Sequence, residues 1–196
     1  MSGDRDTMDI DTLRSFIAIE LPKTLQDILN ALFSDLRRED ADVGWVPATN
    51  LHLTLKFLGD VERTRFPDLI HGIQQATKGT EPFDLTLTGL GAFPNVRTPK
   101  ILWIGLGAPH ALQRLQENIE EALFRLHFPR DERSFSPHLT IGRVKALRGI
   151  GPLISLIQER SFGPERFMVT RIALTQSTLR STGAVHTPLE EFALAG

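Results

Sequence analysis

The sequence predicts an α+β fold made of two similar lobes. Two observations carry this prediction. Segments of alternating polarity, typical of strands, and segments of helical periodicity follow one another along the 196 residues. The phrase His-Leu-Thr-aliphatic occurs twice, at His52 and at His138, and each copy lies in a predicted strand between two predicted helices. A repeated strand in a repeated context is the pattern that two similar lobes would produce.

The composition fits one domain with a sizeable core and excludes several function classes. Hydrophobic residues make up 41% of the chain, and no apolar run approaches the ~20 residues of a membrane-spanning helix. The chain has no cysteine, which rules out disulfides, thiolate metal sites and cysteine nucleophiles. We therefore expect a cytoplasmic protein.

Residues 1–12 are predicted to be a flexible acidic leader, and residues 13–196 a single bilobal domain. The leader holds four aspartates and one arginine, so it carries a local charge of −3, whereas the whole chain carries −2. It has little apolar surface to bury. The near-neutral remainder argues against a broad basic face for long nucleic acids, although it is compatible with a small site that grips one phosphate.

The first half of the chain contains two predicted strands and two predicted helices. "LRSFIAIEL" alternates as a strand does, and Pro22 then suits the first turn of a helix. The buried stripe of that helix is Leu25, Ile28, Leu29, Leu32, Phe33 and Leu36. "VGWVPATN" is predicted to be a loop before the first His-Leu-Thr strand, which ends at Gly59. The second helix is predicted to bury Phe66, Leu69, Ile70, Ile73 and Ala76.

The second half continues with strands "FDLTLTGLGAF" and "KILWIGLG", joined by a turn region rich in proline. A third helix is predicted to start near Pro109, and its buried stripe is predicted to consist of Leu112, Leu115, Ile119, Leu123 and Leu126. The loop "PRDERSFS" then precedes the second His-Leu-Thr strand. A helix over about 150–159 follows, and "RFMVTRIALTQS" and "AVHTPLEEFAL" are the closing strands.

Alternation along a strand divides each repeated phrase into two faces. His52 and Thr54 share one face, as do His138 and Thr140, while the aliphatic residues between them face the core. If the two strands lie side by side, two imidazoles and two hydroxyls converge. Such a set suits an in-line displacement at phosphorus, because one imidazole can deprotonate the nucleophile while the other protonates the leaving oxygen. The hydroxyls can donate hydrogen bonds to the non-bridging oxygens.

Two other interpretations apply to the same residues. A single His-x-Thr in a strand is most often a partly buried histidine whose hydrogen bonds are satisfied, and the matched second copy is what argues for a function. A zinc site is disfavoured, because no His-x-His, no His-x-x-x-His and no neighbouring carboxylate supplies further ligands. The site is therefore expected to hold no metal and no cofactor.

The residues also resemble the two-histidine phosphoesterase superfamily, and within it the RNA 2′,3′-cyclic phosphodiesterases, which are 2′-5′ RNA ligase-like. The resemblance spans nearly the whole chain. It rests on "RSFIAIELP", "WVPATNLHLTLKFLGDV", "GLGAFPNVRTPKILWIGL", "FSPHLTIGRV" and "LTQSTLRSTGAVHTPL". It implies a bilobal fold of two pseudo-symmetric lobes, each with an antiparallel sheet and packed helices, around a central cleft. It also implies metal-independent chemistry on RNA or nucleotides ending in 2′,3′-cyclic phosphate, which are opened to the 2′-phosphate. Nothing in the sequence suggests an obligate interface, so a monomer is expected.

Carried over to this chain, the resemblance implies that His52 is the proton donor to the departing 3′ oxygen and that His138 is the proton acceptor for water. It also implies that Thr54, Thr140 and Arg143 bind the phosphate. Simple alternation would turn Arg143 away from His138. Gly142 allows either a bulge or a strand end that returns Arg143 to the cleft, and the alternative is that Arg143 is a surface arginine. Lys56 shares the alternation face of His52 and is a further predicted phosphate contact.

Aromatic residues and one departure from the family complete the predicted site. Trp45, Phe57 and Phe135 are candidates for stacking on a base. His186 stands where relatives commonly have tyrosine, and this chain has no tyrosine. Two rival functions share the same residues: the joining of RNA ends through a 2′-5′ link, and non-catalytic binding of RNA ends.

Overall fold

The computed structural model describes residues 11–160, 162–181 and 183–196, which contain nine strands and four helices. In chain order these elements are β1 Thr12–Glu20, α1 Lys23–Leu36, β2 Val43–Trp45, β3 His52–Glu62, α2 Phe66–Thr77, β4 Phe83–Phe93, β5 Ile101–Leu106, α3 His110–Arg125, β6 His138–Val144, α4 Ile150–Glu159, β7 Glu165–Val169, β8 Arg171–Arg180 and β9 Gly183–Ala193. The α+β class is confirmed. No helix in the described ranges is long and apolar enough to cross a bilayer.

The strands form one antiparallel sheet that consists of two halves. Their order is β7-β4-β5-β6-β3-β1-β8-β9, and the short β2 lies beside β6. The halves meet between β6 and β3, where Leu53 pairs with Leu139. The two predicted sheets are therefore the halves of one continuous sheet, and a pseudo-twofold relation between them remains a prediction.

One side of the sheet packs against the helices. Leu53, Leu55, Leu139 and Ile141 are buried in a single apolar cluster that includes the inward stripes of all four helices. Full burial of one such side chain contributes roughly 1.5–3 kcal/mol, so this side of each repeated phrase fixes which way its strand faces. The predicted stripe of α1 is correct except at Ile28, which lies at its edge and is exposed.

Two stretches differ from their predictions. The predicted loop "VGWVPATN" contains β2, because Val43, Gly44 and Trp45 pair with the end of β6. The predicted single strand "RFMVTRIALTQS" is two strands separated at Thr170, since β7 pairs with β4 whereas β8 pairs with β1. The chain thus passes from one half of the sheet to the other at this point. Local polarity does not encode such long-range pairing.

The predicted leader, residues 1–12, lies almost entirely outside the described residues. Thr12 already belongs to β1, where it pairs with Glu62, and Asp11 forms an ion pair with Arg63. The domain therefore begins at or before residue 11.

Candidate active site

The two His-Leu-Thr phrases lie side by side at the junction of the two halves. Because Leu53 pairs with Leu139 in an antiparallel ladder, the residues that flank them share the opposite face of the sheet. This register sets His52 across from Thr140 and Thr54 across from His138. His52 and His138 are diagonal neighbours, and the Cα atoms of such residues lie about 7–8 Å apart in a regular ladder. That spacing leaves room for one phosphate between them.

A bulge follows each phrase at the same position. In β3, Thr54 pairs with Ala18 and Lys56 with Ile17, so Leu55 has no partner in β1. In β6, Thr140 pairs with Trp103 and Gly142 with Leu102, so Ile141 is the extra residue. Each bulge shifts the alternation by one residue, and the residue five positions after each histidine therefore lies on the face of the sheet that carries His52 and His138, opposite the helices; we call this face the cleft.

Arg143 is brought to the cleft by the second bulge. It lies on the side of β6 that carries His138 and Thr140, and it is exposed. Gly142 is needed there because β2 approaches closely: a Cβ at this position would lie 2.7 Å from Cγ1 of Val43. The predicted bulge is confirmed, whereas binding of phosphate by Arg143 remains a proposal.

Lys56 does not reach the cleft, and the structure contradicts its prediction as a phosphate contact. The bulge at Leu55 turns Lys56 to the helix side of the sheet, where its side chain is 2% exposed. Its ammonium group contacts Glu120 of α3, Asp131 and the carbonyl of Pro129. Strict alternation failed here because nothing in the sequence of β3 marks the bulge.

Each histidine ring is held by a hydrogen bond to the carbonyl of the residue two positions before it. The Nδ1–H of His52 donates to the carbonyl of Asn50 at 2.9 Å, and the Nδ1–H of His138 donates to the carbonyl of Ser136 at 2.7 Å. Because a carbonyl can only accept, Nδ1 carries the proton in each ring. Each Nε2 is thereby left to exchange a proton with a substrate, as an acid–base pair requires.

Aromatic rings pack around both histidines, and of these His186 was a candidate in the sequence, whereas Phe16 and Phe93 were not. Phe16 stacks on His52 with ring centroids 4.6 Å apart, and His186 meets the edge of the same ring at 4.9 Å. Phe93 contacts His138 at 5.0 Å and Trp103 at 5.2 Å. Phe16 alternates with Arg14 and Glu20 on the polar side of its strand, and this signal could have identified it.

The three aromatic residues predicted to stack on a base have different surroundings. Phe57 is 65% exposed and lies on the cleft side, across from Phe16. Trp45 packs against the core and Phe33, and Phe135 also packs against the core. Of the three, Phe57 is therefore the best placed to meet a nucleobase.

The remaining histidines lie apart from the cleft. His71, His110 and His127 are exposed at the surface of α2 and at the two ends of α3. Among the residues that the structure describes, no group of three His, Asp or Glu side chains could hold one metal ion.

The surroundings of His52 lower the pKa of its imidazole. Burial lowers the pKa of His52 from its ordinary value near 6.5 to about 4, and the neighbouring His186 adds a smaller effect in the same direction. The hydrogen bond to Asn50 opposes both. Burial also lowers the pKa of His186. The ligand-free protein therefore holds His52 neutral at pH 7.

This pKa predicts a stability loss in acid. Between pH 6.5 and 4 the unfolded chain binds a proton that folded His52 does not, so the free energy of unfolding falls as the pH falls through this window. The loss attributable to His52 is on the order of 3 kcal/mol at pH 4. Thermal unfolding at pH 7 and pH 4.5 checks it. His52→Gln should lose less stability between these pH values than the wild type, whereas His71→Gln should behave as the wild type does. An equal loss in all three proteins would contradict the prediction.

Comparison with known proteins extends these findings. The family model described as the 2′-5′ RNA ligase superfamily matches residues 24–179. The RNA 2′,3′-cyclic phosphodiesterase of Methanothermobacter thermautotrophicus is 34% identical over 185 residues, which cover 93% of this chain and 99% of that protein. A solved structure from Thermus thermophilus superposes with a TM-score of 0.78 at 29% identity and covers 93% of this chain and 98% of its own.

A second solved structure contains a bound nucleotide. E. coli LigT complexed with 3′-AMP superposes with a TM-score of 0.74 at 25% identity, covering 95% of this chain and all of its own. The resemblance seen in the sequence is confirmed, since the family model covers most of the chain and the relatives match over nearly their full length. The chain belongs to the 2′-5′ RNA ligase superfamily.

Proposed function

We propose that this protein hydrolyses 2′,3′-cyclic phosphate ends of RNA or nucleotides to 2′-phosphomonoesters without a metal ion. The observation that carries the proposal is the pair of histidines, each with Nδ1 fixed on a carbonyl, on one face of the sheet with two threonines. The curated relative from Methanothermobacter, an RNA 2′,3′-cyclic phosphodiesterase, supports the substrate class.

The proposed reaction is an in-line displacement in which water replaces the 3′ oxygen on phosphorus. Nε2 of His138 accepts a proton from the attacking water as the new P–O bond forms. The bond from phosphorus to the 3′ oxygen breaks, and Nε2 of His52 gives that oxygen a proton. The diagonal arrangement of the two rings suits this exchange, because attacking and leaving oxygens lie on opposite sides of phosphorus. A second proton transfer through solvent restores both rings.

His52 must gain a proton before it can act as the acid. In the ligand-free protein burial keeps it neutral at pH 7, because its pKa is about 4. A phosphate anion beside the ring stabilises the imidazolium and raises that pKa. We therefore propose that substrate binding is accompanied by proton uptake at His52. Calorimetric titration with a 3′-nucleotide in buffers of different ionisation enthalpy measures this uptake directly.

Thr54, Thr140 and Arg143 stabilise the negative charge on the phosphoryl oxygens. The threonine hydroxyls flank the rings on the same face, so they can donate to non-bridging oxygens as the transition state forms. Arg143 is the next residue of β6 after Thr140 on the cleft side, and it adds a fixed positive charge. Together these groups supply the electrostatic stabilisation that a metal ion provides in other phosphoesterases.

Replacing Arg143 with glutamine is expected to raise KM about tenfold and to reduce kcat less, because the guanidinium binds the phosphate in ground and transition states alike. Steady-state kinetics on a cyclic mononucleotide check this. Arg148→Gln, an exposed arginine after the end of β6, is the control and should leave both constants unchanged. An Arg143→Gln enzyme with wild-type KM would remove Arg143 from the proposed site.

The test of the proposed function is hydrolysis of a 2′,3′-cyclic phosphate dinucleotide in the presence of EDTA, across pH 5–8. We expect turnover that EDTA leaves unchanged. Tight binding of the cyclic end without turnover, surviving His52→Ala, would instead indicate a non-catalytic module. Loss of turnover on addition of EDTA would contradict the metal-independent mechanism.

The joining of RNA ends through a 2′-5′ link is the second candidate function, because the matching family model is described as the 2′-5′ RNA ligase superfamily. The same two histidines can serve it, with a 5′-hydroxyl in place of water. We propose that hydrolysis dominates, because water is far more concentrated than RNA ends. Gel analysis of products at high concentrations of 5′-hydroxyl and cyclic-phosphate ends measures the ratio, and a majority of 2′-5′ joined product would reverse this order.

We further propose that the protein acts as a monomer in the cytoplasm, with residues 11–196 in its catalytic unit. Size-exclusion chromatography with light scattering should give a mass near the 21.9 kDa of one chain. Removing residues 1–10 should leave kcat and KM unchanged.

A further inference from the structure

A buried charged cluster lies behind the cleft, on the helix side of the sheet. The ammonium group of Lys56 is 2.8 Å from Oε1 of Glu120, 2.9 Å from Oδ1 of Asp131 and 2.8 Å from the carbonyl of Pro129. Gln116 donates a further hydrogen bond to Glu120. A lysine that is 2% exposed is costly to bury unless it is paired, and here three oxygens satisfy its three donors. The proposed reaction does not use this cluster.

The cluster ties β3 to the chain segment that leads into β6. Lys56 belongs to β3, in the half that carries His52. Glu120 lies on α3, which packs against β3, whereas Pro129 and Asp131 lie in the segment 129–136, which leads into β6 with His138. Between β3 and β6 themselves, Leu53–Leu139 is the ladder pair. On one side of that pair β2 binds the end of β6 through three residue pairs. The Lys56 cluster lies on the other side.

The cluster is also connected to His138 along the chain. Asp131 and Pro129 anchor the segment 129–136, and the carbonyl of Ser136 at its end accepts the Nδ1–H of His138. A shift of this segment would therefore move the group that orients the His138 ring. The other histidine has its own anchor, because Asn50, whose carbonyl holds His52, also donates its side-chain amide to the carbonyl of Ala184.

We propose that Lys56 is a positioning residue that sets the placement of His138 relative to His52, by fixing the segment before β6 to the strand that carries His52. The proposal rests on the proposed function. Misplacement of reacting groups by about 1 Å can cost on the order of 10²-fold in rate, so a modest shift of one half against the other is enough to matter. Lys56 thus supports the reaction from the opposite face of the sheet, without touching the substrate.

The test removes both charges together, so that no buried charge is left unpaired. In Lys56→Met/Glu120→Gln the buried ion pair becomes neutral at similar volume, a change that proteins often tolerate. Asp131→Ala is the milder variant, since its carboxylate is half-exposed. The matched control is Arg160→Met/Asp35→Asn, which removes a part-buried ion pair between α4 and α1, away from both histidine strands.

With a cyclic mononucleotide as substrate, we expect kcat to fall about tenfold or more in Lys56→Met/Glu120→Gln and less in Asp131→Ala, with KM within about twofold of wild type. The control pair should keep wild-type kcat even if its melting temperature falls. Wild-type kcat in a folded Lys56→Met/Glu120→Gln enzyme would overturn the proposal. So would an increase in KM alone for an oligonucleotide, because the segment 129–136 would then be an RNA contact.

A second measurement does not depend on turnover. Inorganic phosphate, titrated into the wild-type protein, should shift the imidazole C2–H proton resonances of both His52 and His138, because one anion lies between the two rings. In Lys56→Met/Glu120→Gln only one of the two resonances should respond, whereas the control pair should respond as the wild type does. Two unchanged responses would overturn the proposal. If the wild type binds phosphate but hydrolyses nothing, the proposed function fails and this comparison still decides the role of Lys56.

Discussion

Alanine at His52 or at His138 is expected to reduce kcat on a 2′,3′-cyclic phosphate substrate by about 10³-fold, within the range that general acid–base catalysis contributes. Each ring has its Nδ1 committed to a carbonyl, so Nε2 is the atom that exchanges the proton. Alanine removes that atom and leaves the strand in place, because the neighbouring Leu53 and Leu139 still anchor it in the core. KM should change much less than kcat.

Three comparisons sharpen this prediction. His71→Ala removes an exposed histidine from α2 and should leave kcat unchanged. The double variant His52→Ala/His138→Ala should be little slower than either single variant, because an acid and a base that act in one step are not additive. A single variant that retains a tenth of the wild-type kcat would exclude that histidine from the proton transfers.

Valine at Thr54 or at Thr140 is expected to reduce kcat about 10²-fold, near the lower end of the effect of removing one preorganised hydrogen-bond donor. The substitution keeps the branched shape and removes the hydroxyl. Each threonine faces the histidine of the other strand, so the two hydroxyls flank the proposed phosphate from both halves of the sheet. KM should rise less than kcat falls, because the donors matter most where charge builds up.

The control for the threonines is Thr12→Val on β1, an exposed position that pairs with Glu62 at the opposite end of β3 from His52 and Thr54. It should keep wild-type kcat and KM. Steady-state kinetics at fixed pH and ionic strength compare the three variants. Equal and small effects in all three would mean that the threonines serve packing and that another group stabilises the phosphoryl oxygens.

Alternation along the strands predicts correctly that the histidine and threonine of each phrase share one face of the sheet. The residues between His52 and Thr54 and between His138 and Thr140 are aliphatic and buried, so the polar pairs had to face the other side. That both pairs meet at one ladder position follows from pairing across 86 residues of chain, and the repetition of the phrase was its signal in the sequence.

The two bulges are the positions after which strict alternation no longer predicts which face of the sheet a side chain occupies. Gly142 signalled the bulge in β6, because a residue without Cβ tolerates the approach of Val43, and Arg143 faces the cleft as that signal implied. The bulge at Leu55 has no such signal, so Lys56 was assigned to the wrong face. Its true surroundings come from α3 and the segment after it, at least 64 residues away in sequence.

The aromatic surroundings of the histidines depend on tertiary structure in the same way. His186 reaches His52 because β9, β8, β1 and β3 are consecutive in the sheet, and Phe93 reaches His138 across β5. No local pattern predicts such a neighbourhood. The consequence is functional, since the burial that these rings help to create lowers the pKa of His52.

The most direct test of the two-histidine mechanism is the identity of its product. The wild-type protein is incubated with a 2′,3′-cyclic phosphate dinucleotide in ¹⁸O-labelled water containing EDTA, and the product is examined by mass spectrometry and ³¹P NMR. The mechanism predicts a 2′-phosphomonoester that carries one ¹⁸O atom from water and a free 3′-hydroxyl. A 3′-phosphomonoester, or an unchanged cyclic phosphate under conditions where the folded protein binds it, would contradict it.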